Sequence, residues 1–297
     1  MPRIGKKRSV LSGISVQEAM RRQVISLSQD ATIDYCINRM IKYKVNSVLI
    51  MDENRNPAGV VSKTDVTGAF YAGFPTATPV ESILAGPLLY CYPDDELESS
   101  LDAMQQNGVH RLFVRGSDSN EVVGVLAYPD IVGLLYRYCR ACDRGLLKAR
   151  GHIEDTGIQR FRIKDVMTAD VTAFLATDGL AQVIEGLTEH RFGAVLIENE
   201  AAKAVGVVSK SDLIVAYKHG VTVDAAAADV MSAPVVSSDA NTPLADAIQQ
   251  MLLKDVQRLF VHGQDSRKIV GILSLSDAAR FRSGSCRACT SSRLMQV

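Results

Sequence analysis

An excess of charge of either sign is missing from this 297-residue chain: Lys plus Arg and Asp plus Glu each number 33. No overall field draws it to nucleic acid or to an anionic membrane, and neither partner is expected. The basic start, Arg3, Lys6, Lys7 and Arg8, is too short and too local to change that. Long apolar runs are missing as well. None approaches a membrane span, and none follows the basic start as a signal peptide requires, so a cytoplasmic location is the expectation. Cysteine is sparse: six residues do not make a disulfide scaffold in so long a chain, and reduced thiols or a metal are the better expectations. The signatures of catalysis are missing too, with no His-Glu-x-x-His, no Gly-x-Ser-x-Gly and no phosphate loop ending in Gly-Lys-Ser/Thr. Nothing argues for an enzyme. What remains is 47% hydrophobic and 22% charged, the make-up of a folded globular protein long enough for two ordinary domains.

What the chain does have is one motif four times. Gly59-Val60-Val61-Ser62-Lys63-Thr64-Asp65 returns as Gly206-Val207-Val208-Ser209-Lys210-Ser211-Asp212. Weaker copies read Gly124-Val125-Leu126-Ala127-Tyr128-Pro129-Asp130 and Gly271-Ile272-Leu273-Ser274-Leu275-Ser276-Asp277. Each is a short apolar strand running into a helix: the hydroxyl caps free N–H groups, and the aspartate sits in the positive first turn. The same turn can hold a nucleotide, because a helix N-terminus attracts phosphate and a carboxylate can accept both hydrogens of a ribose diol. A plain capping arrangement explains any single copy equally well.

Around these exits the pattern predicts four units, each ordered strand, helix, strand, strand, helix. In the first, Val24–Leu27 is a strand. Ile33, Cys36, Ile37, Met40 and Ile41 mark one helix face, and Ser47–Met51 pairs with Ala58–Val61. In the second, Leu88–Tyr92 is a strand, Asp95 a helix cap, and Arg111-Leu112-Phe113-Val114 pairs with Val122–Leu126. The third has Val171–Phe174, a helix face of Leu180, Val183, Ile184 and Leu187, and strands at Ala194–Ile197 and Ala204–Val208. The fourth places Thr242 as a cap before Pro243, then buries Leu244, Ala247, Ile248, Met251 and Leu252. Asp65 and Asp212, Asp130 and Asp277, Arg111 and Arg258, and Cys139 and Cys286 are all 147 residues apart, so a two-unit block was duplicated without net insertion. The boundaries read as an N-terminal arm 1–14, units 15–75 and 76–142, a linker 143–161, units 162–222 and 223–283, and a tail 284–297.

A β-α-β-β-α unit with a Gly-apolar-apolar-Ser/Thr-x-x-Asp exit resembles the CBS domain. The resemblance covers nearly the whole chain and implies an α+β protein in which four CBS domains form two Bateman modules, associated as a pseudo-twofold disk. It implies clefts that bind adenosine-containing ligands such as AMP, ADP, ATP or S-adenosylmethionine. The family's ribose-binding aspartate falls on Asp65, Asp130, Asp212 and Asp277, and its hydroxyl on Ser62, Ser209 and Ser274. Ala127 and Pro129 depart from the pattern, which weakens the cleft beside Asp130. Val109-His110-Arg111-Leu112 and the exit ending at Asp277 are similar to stretches in γ subunits of AMP-activated protein kinase, where a His-Arg pair and serines help hold phosphate. By that likeness Arg111, Arg258, Ser274 and Ser276 are phosphate ligands. A strand-end Arg paired with a carboxylate is the equal alternative. Lys63 and Lys210 are within reach of phosphate, or are solvated first-turn lysines.

The functional expectation is a regulatory protein that senses adenine nucleotides or S-adenosylmethionine, requires no cofactor and signals to a partner protein, with a homodimer among its expected assemblies. Two alternatives stay open. Cys139-Arg140-Ala141-Cys142 and Cys286-Arg287-Ala288-Cys289 are identical while their flanks differ. Two such pairs make the set that zinc or an iron–sulfur cluster takes, which would make the protein a thiol or metal sensor; redox pairs or four reduced thiols are the other readings. The second alternative is a structural dimerisation module with empty clefts. Cys36 and Cys91 read as core.

Overall fold

The computed structural model describes residues 11, 13–117, 121–137 and 161–284. Unit 1 comprises α1 (Val16–Ala19), β1 (Ser26–Ser28), α2 (Ile33–Lys42), β2 (Ser47–Met51), β3 (Pro57–Ser62) and α3 (Lys63–Tyr71). Unit 2 comprises β4 (Tyr90–Cys91), α4 (Leu97–Gln106), β5 (Arg111–Arg115), β6 (Val122–Ala127) and α5 (128–137). Unit 3 has β7 (Ala173–Leu175), α6 (Leu180–Glu189), β8 (Ala194–Glu198), β9 (Ala204–Ser209) and α7 (Lys210–Lys218). Unit 4 has β10 (Ser237–Asp239), α8 (Leu244–Leu253), β11 (Arg258–His262), β12 (Ile269–Ser274) and α9 (Leu275–Gly284). Every unit is one three-stranded sheet whose middle strand runs parallel to the first and antiparallel to the third. Among the described residues no helix is long and apolar enough to cross a membrane.

The middle strands are continuous apolar runs because both their faces are covered. In β2, Val48 and Ile50 turn toward the helices, while Leu49 meets Phe113 and Val125 of unit 2 across a sheet-to-sheet seam. The counterparts Leu196 and Phe260 are buried in the second pair. The outer helices then bury the remaining apolar faces. One core joins units 1 and 3, with Phe70 of α3 stacked on Tyr217 of α7 at 5.0 Å, and another joins units 2 and 4. Sheets join 1 to 2, helices join 1 to 3 and 2 to 4, and the four units close the expected pseudo-twofold arrangement.

The first strands are shorter than predicted, and shifted. Instead of Val24–Leu27, Leu88–Tyr92 and Val171–Phe174, pairing is confined to Ser26–Ser28, Tyr90–Cys91 and Ala173–Leu175. The chain before each is extended but holds its neighbour by single bonds, such as Leu49 N–H to Ile25 O and Phe113 N–H to Leu89 O, both 2.9 Å. Ile41, assigned to the buried face of α2, is 43% exposed; Ile33, Cys36, Ile37 and Met40 are fully buried. Two predicted caps also fail. Asp95 accepts from Tyr92 N at 2.8 Å, Thr242 accepts from Ser238 Oγ at 3.1 Å, and neither caps α4 or α8.

The reason is a crossing of the chain that no local signal announces. The lead-in to each unit is built into the partner unit. Ile14 O accepts from Leu97 N at 2.9 Å and Phe161 O from Leu244 N at 2.8 Å, so backbone carbonyls satisfy the helix starts that side chains were expected to satisfy. Leu11 and Ile14, placed by sequence in the N-terminal arm, are buried in the core of unit 2 with Val16 and Ala19. The return crossing puts Val80 into unit 1, and Ile163 and Ala227 repeat the exchange in the second pair.

Each lead-in then forms a two-bonded antiparallel bridge on the third strand of its partner: Arg21 with Val125, Ala85 with Val60, Thr168 with Ile272, Ser232 with Val207. This bridge is why three of the motifs begin with glycine; at the fourth, Gly206, a Cβ would instead meet the Met231 side chain of the lead-in. A Cβ at Gly59 would lie 2.9 Å from Ala85 O, one at Gly124 2.9 Å from Arg21 O, and one at Gly271 2.9 Å from Thr168 O. Gly59→Val is expected to lower the melting temperature by several degrees, from about 1–3 kcal/mol of overpacking. Gly133→Ala in α5, where a Cβ meets nothing within 4 Å, should leave it unchanged or raise it. Thermal denaturation of the two variants compares them; equal melting would remove the bridge as the cause of the glycine.

Candidate functional site

Four strand-to-helix exits lie at the seams between paired units. At the first, Ser62 Oγ accepts from Thr64 N and Asp65 N at 3.2 and 3.4 Å, while Asp65 Oδ2 accepts from Ser62 N and Ser62 Oγ, both at 2.7 Å. Ser209 and Asp212 repeat this capping box, with 2.7 and 2.6 Å to Asp212 Oδ2. At the fourth exit Asp277 Oδ2 accepts from Ser274 N at 3.1 Å and from Ser274 Oγ, and Ser276 Oγ lies 2.7 Å from Ser274 Oγ. At the second, with no hydroxyl, Ala127 N donates to Asp130 Oδ2 at 2.9 Å. Each exit therefore uses one carboxylate oxygen for the helix start. Availability for a ligand rests on the other oxygen.

That second oxygen differs from exit to exit. Asp130 Oδ1 is 2.8 Å from Arg21 Nε in an ion pair whose carboxylate is 9% exposed. Asp212 Oδ1 accepts from Ser232 Oγ at 2.7 Å. Among the described residues, no hydrogen-bond donor reaches Oδ1 of Asp65 or Asp277. Burial pushes Asp130 above the usual carboxylate range, against the opposite pull of Arg21, the Ala127 amide and Arg111. The space beside Arg21, Ser47, Arg111 and Phe113 amounts to about 20 Å³, room for about one water. Arg21, Ala85, Thr168 and Ser232 escaped the sequence reading. The 147-residue register relates Arg21 to Thr168 and Ala85 to Ser232, but nothing local puts them beside an exit aspartate.

The inner ends of the exits carry cations. Lys63 Nζ donates to Ser211 Oγ at 2.7 Å and Lys210 Nζ to Thr64 Oγ1 at 2.8 Å, a reciprocal crossing between the N-termini of α3 and α7. Arg111 reaches Ser47 O at 3.5 Å, and the Arg258 guanidinium lies where a Cβ on Gly193 would fall, 2.2 Å away. Neither arginine has a carboxylate within salt-bridge distance among the described residues, although Asp130 favours the charged form of Arg111 and Asp277 that of Arg258. Burial lowers the pKa of Lys63, with Arg111 adding to the effect, and of Lys210, with Arg258 adding. Burial and then Arg21 push Arg111 down to about 10. Crowding by surrounding protein, then Arg258, Arg280, Arg111 and Lys210, push His110 down to about 4, although its ring still reaches solvent. His110 packs edge-on against Tyr128, whose hydroxyl accepts from Arg280 Nη2 at 3.0 Å.

The two Cys-x-x-Cys pairs, Cys139/Cys142 and Cys286/Cys289, lie outside the described residues. Among the described residues no group of three His, Cys, Asp or Glu could hold a metal. Cys36 and Cys91 are buried, and burial raises both thiols to about 12, so they serve as apolar core.

Known proteins resemble this chain in sequence and in fold. The family model for the CBS domain fits residues 16–72, 80–137, 163–219 and 227–284. An uncharacterised protein of Methanocaldococcus jannaschii, MJ1225, is 22% identical over 213 residues, which cover 70% of this chain and 72% of that protein. Its crystal structure superposes with a TM-score of 0.73 at 15% identity, over 90% of this chain and 99% of that one, a likeness of fold. The chain is also similar to the pig 5'-AMP-activated protein kinase subunit gamma-3, 26% identical over 202 residues, covering 64% of this chain but only 37% of that subunit. With four family matches along most of its length, each on one of the four units, the chain belongs to the CBS domain family, as a protein of four CBS domains in two Bateman modules.

Proposed function

We propose that this is a regulatory, non-catalytic protein that binds AMP, ADP, ATP or S-adenosylmethionine in clefts between paired units and conveys the ligand state to a partner protein. The observation that carries this reading is the set of inward cations, Lys63, Lys210, Arg111 and Arg258, with His110, gathered with no carboxylate in salt-bridge contact among the described residues. Half-buried charge without an ion pair is costly: burial disfavours the charged form of each cation, and the exit aspartates Asp212, Asp65, Asp130 and Asp277 offset that only in part. A phosphate placed there, with its ribose at an open exit carboxylate, would relieve that cost. The capping boxes alone would serve a purely structural module; the hydrogen bonds of Lys63 and Lys210 across the helix starts would need no positive charge. Relatives that include kinase subunits named for AMP support the same direction.

The signal would be mechanical in origin. A ligand held jointly by a lead-in, an exit helix and the central cations touches three units, so it favours one arrangement of the ring over others. Only that difference in affinity can shift what a partner meets.

Calorimetry with AMP, ATP and adenosine tests this. AMP and ATP should bind and adenosine should bind more weakly. Lys63→Ala with Lys210→Ala should cost AMP tenfold or more, as two charge-assisted hydrogen bonds are lost, and should cost adenosine little. No binding at millimolar ligand would overturn the reading, and equal binding of AMP and adenosine would remove the cations from it.

The second expectation concerns pH. His110 titrates near 6.5 in the unfolded chain and near 4 in the fold, so unfolding takes up a proton between those values. Its contribution to stability is complete above about pH 6.5 and is lost as the pH falls toward 4. Melting temperatures measured from pH 7 to 4.5 should fall less steeply for His110→Gln than for the wild type. Parallel curves would show that the surrounding cations do not act on His110.

A further inference from the structure

The four lead-in bridges occupy equivalent places. Val125, Val60, Ile272 and Val207 each lie five residues before the exit aspartate of their unit, and each is bonded in both directions to a lead-in residue of the partner. The backbone is the same at all four; the side chain presented to the exit is not. Arg21 presents a guanidinium and takes Asp130 Oδ1 at 2.8 Å. Ser232 presents a hydroxyl and takes Asp212 Oδ1 at 2.7 Å. Ala85 has nothing to present, and Thr168, exposed, makes no bond to Asp277.

We propose that the bridge residue of each lead-in determines which exit carboxylate is available to a ribose diol, and that Arg21 keeps the Asp130 cleft closed to ribosyl ligands. This rests on the nucleotide reading above and adds an order to it: the clefts at Asp65 and Asp277 are open, that at Asp212 is closed by one neutral hydrogen bond, and that at Asp130 by an ion pair. A diol can displace a neutral hydroxyl by exchanging like for like. It cannot replace the charge of a guanidinium beside a carboxylate that is 9% exposed, because the anion would be left buried without its partner. Both oxygens of Asp130 are already engaged, one by the Ala127 amide and one by Arg21. The block duplication makes the contrast internal, since Arg21 and Thr168 are the same position in two copies.

The test counts AMP molecules per chain at saturation by native mass spectrometry. Arg21→Thr, which copies the Thr168 bridge, should bind one more AMP than the wild type, and adding Asp130→Asn should abolish that gain. Ala85→Arg should bind one fewer. An unchanged count in Arg21→Thr, with the wild type binding AMP, would overturn the proposal and leave the nucleotide reading intact. No AMP on any variant would overturn that reading and the proposal with it. A ligand-free control uses melting temperatures of Arg21→Thr, Asp130→Asn and the double variant: a double variant that melts as the more destabilised single one supports the clamp, and additive losses overturn it.

Discussion

Two backbone hydrogen bonds between a lead-in segment and the third strand of the neighbouring unit recur at every seam of this protein. They tie each unit to its partner before any side chain is considered. Because the crossing chain lies against the strand, position one is glycine in three motifs for want of room: at Gly59, Gly124 and Gly271 a methyl would meet a carbonyl oxygen at 2.9 Å. Because the crossing continues inward, Ile14 and Phe161 supply the carbonyls that start α4 and α8, and Val16, Val80, Ile163 and Ala227 fill cores of units to which they do not belong in sequence. Because it passes the exit, its side chain meets the aspartate on which ligand binding would depend. One interaction thus sets pairing, composition and access.

The exits show how one arrangement can serve two purposes. A helix start needs an acceptor for its free N–H groups, and Ser62, Ser209 and Ser274 provide it with their aspartates answering in kind. That occupies one carboxylate oxygen and holds the other in a fixed direction. A ligand would therefore meet a preorganised acceptor whose ordering has already been met by folding. Lys63 and Lys210 sit at the positive ends of α3 and α7, where helix dipoles add to their repulsion instead of easing it. Their hydrogen bonds to Ser211 and Thr64 tie the two helix starts together but do not neutralise the charge, which is why the placement weighs toward an anionic ligand.

Duplication left two blocks of equal length that differ in the charges they bring to the seams. The contacts between units 1 and 4, Lys44 with Asp255 and Asn46 with Gln257, have no equivalent between units 2 and 3, where the corresponding residues are Gly108, His110, Arg191 and Gly193. Gly193 in place of Asn46 makes room for the Arg258 guanidinium. The clefts are alike in backbone and unlike in charge, so a single ligand need not fill them equally.

Much of the fold was legible because its signals are local. The capping hydroxyls, the helix faces at Ile33, Cys36, Ile37 and Met40, and the apolar runs of β2, β5, β8 and β11 each reflect a residue's own helix or strand, and the 147-residue register made four units evident. The capping role of Ser62 and Asp65 was legible for the same reason. Ile41, Asp95 and Thr242 were misread where a neighbour from another unit supplied or withheld what local pattern implied. The clamp on Asp130 lay further out of reach, because Arg21 is 109 residues away in sequence. By itself the sequence determined unit type, number and the capping boxes, since periodicity and helix-start chemistry act within a few residues. Only the tertiary structure decided which unit each lead-in completes and which aspartate keeps a free oxygen, because both depend on chain segments brought together by packing across the seams.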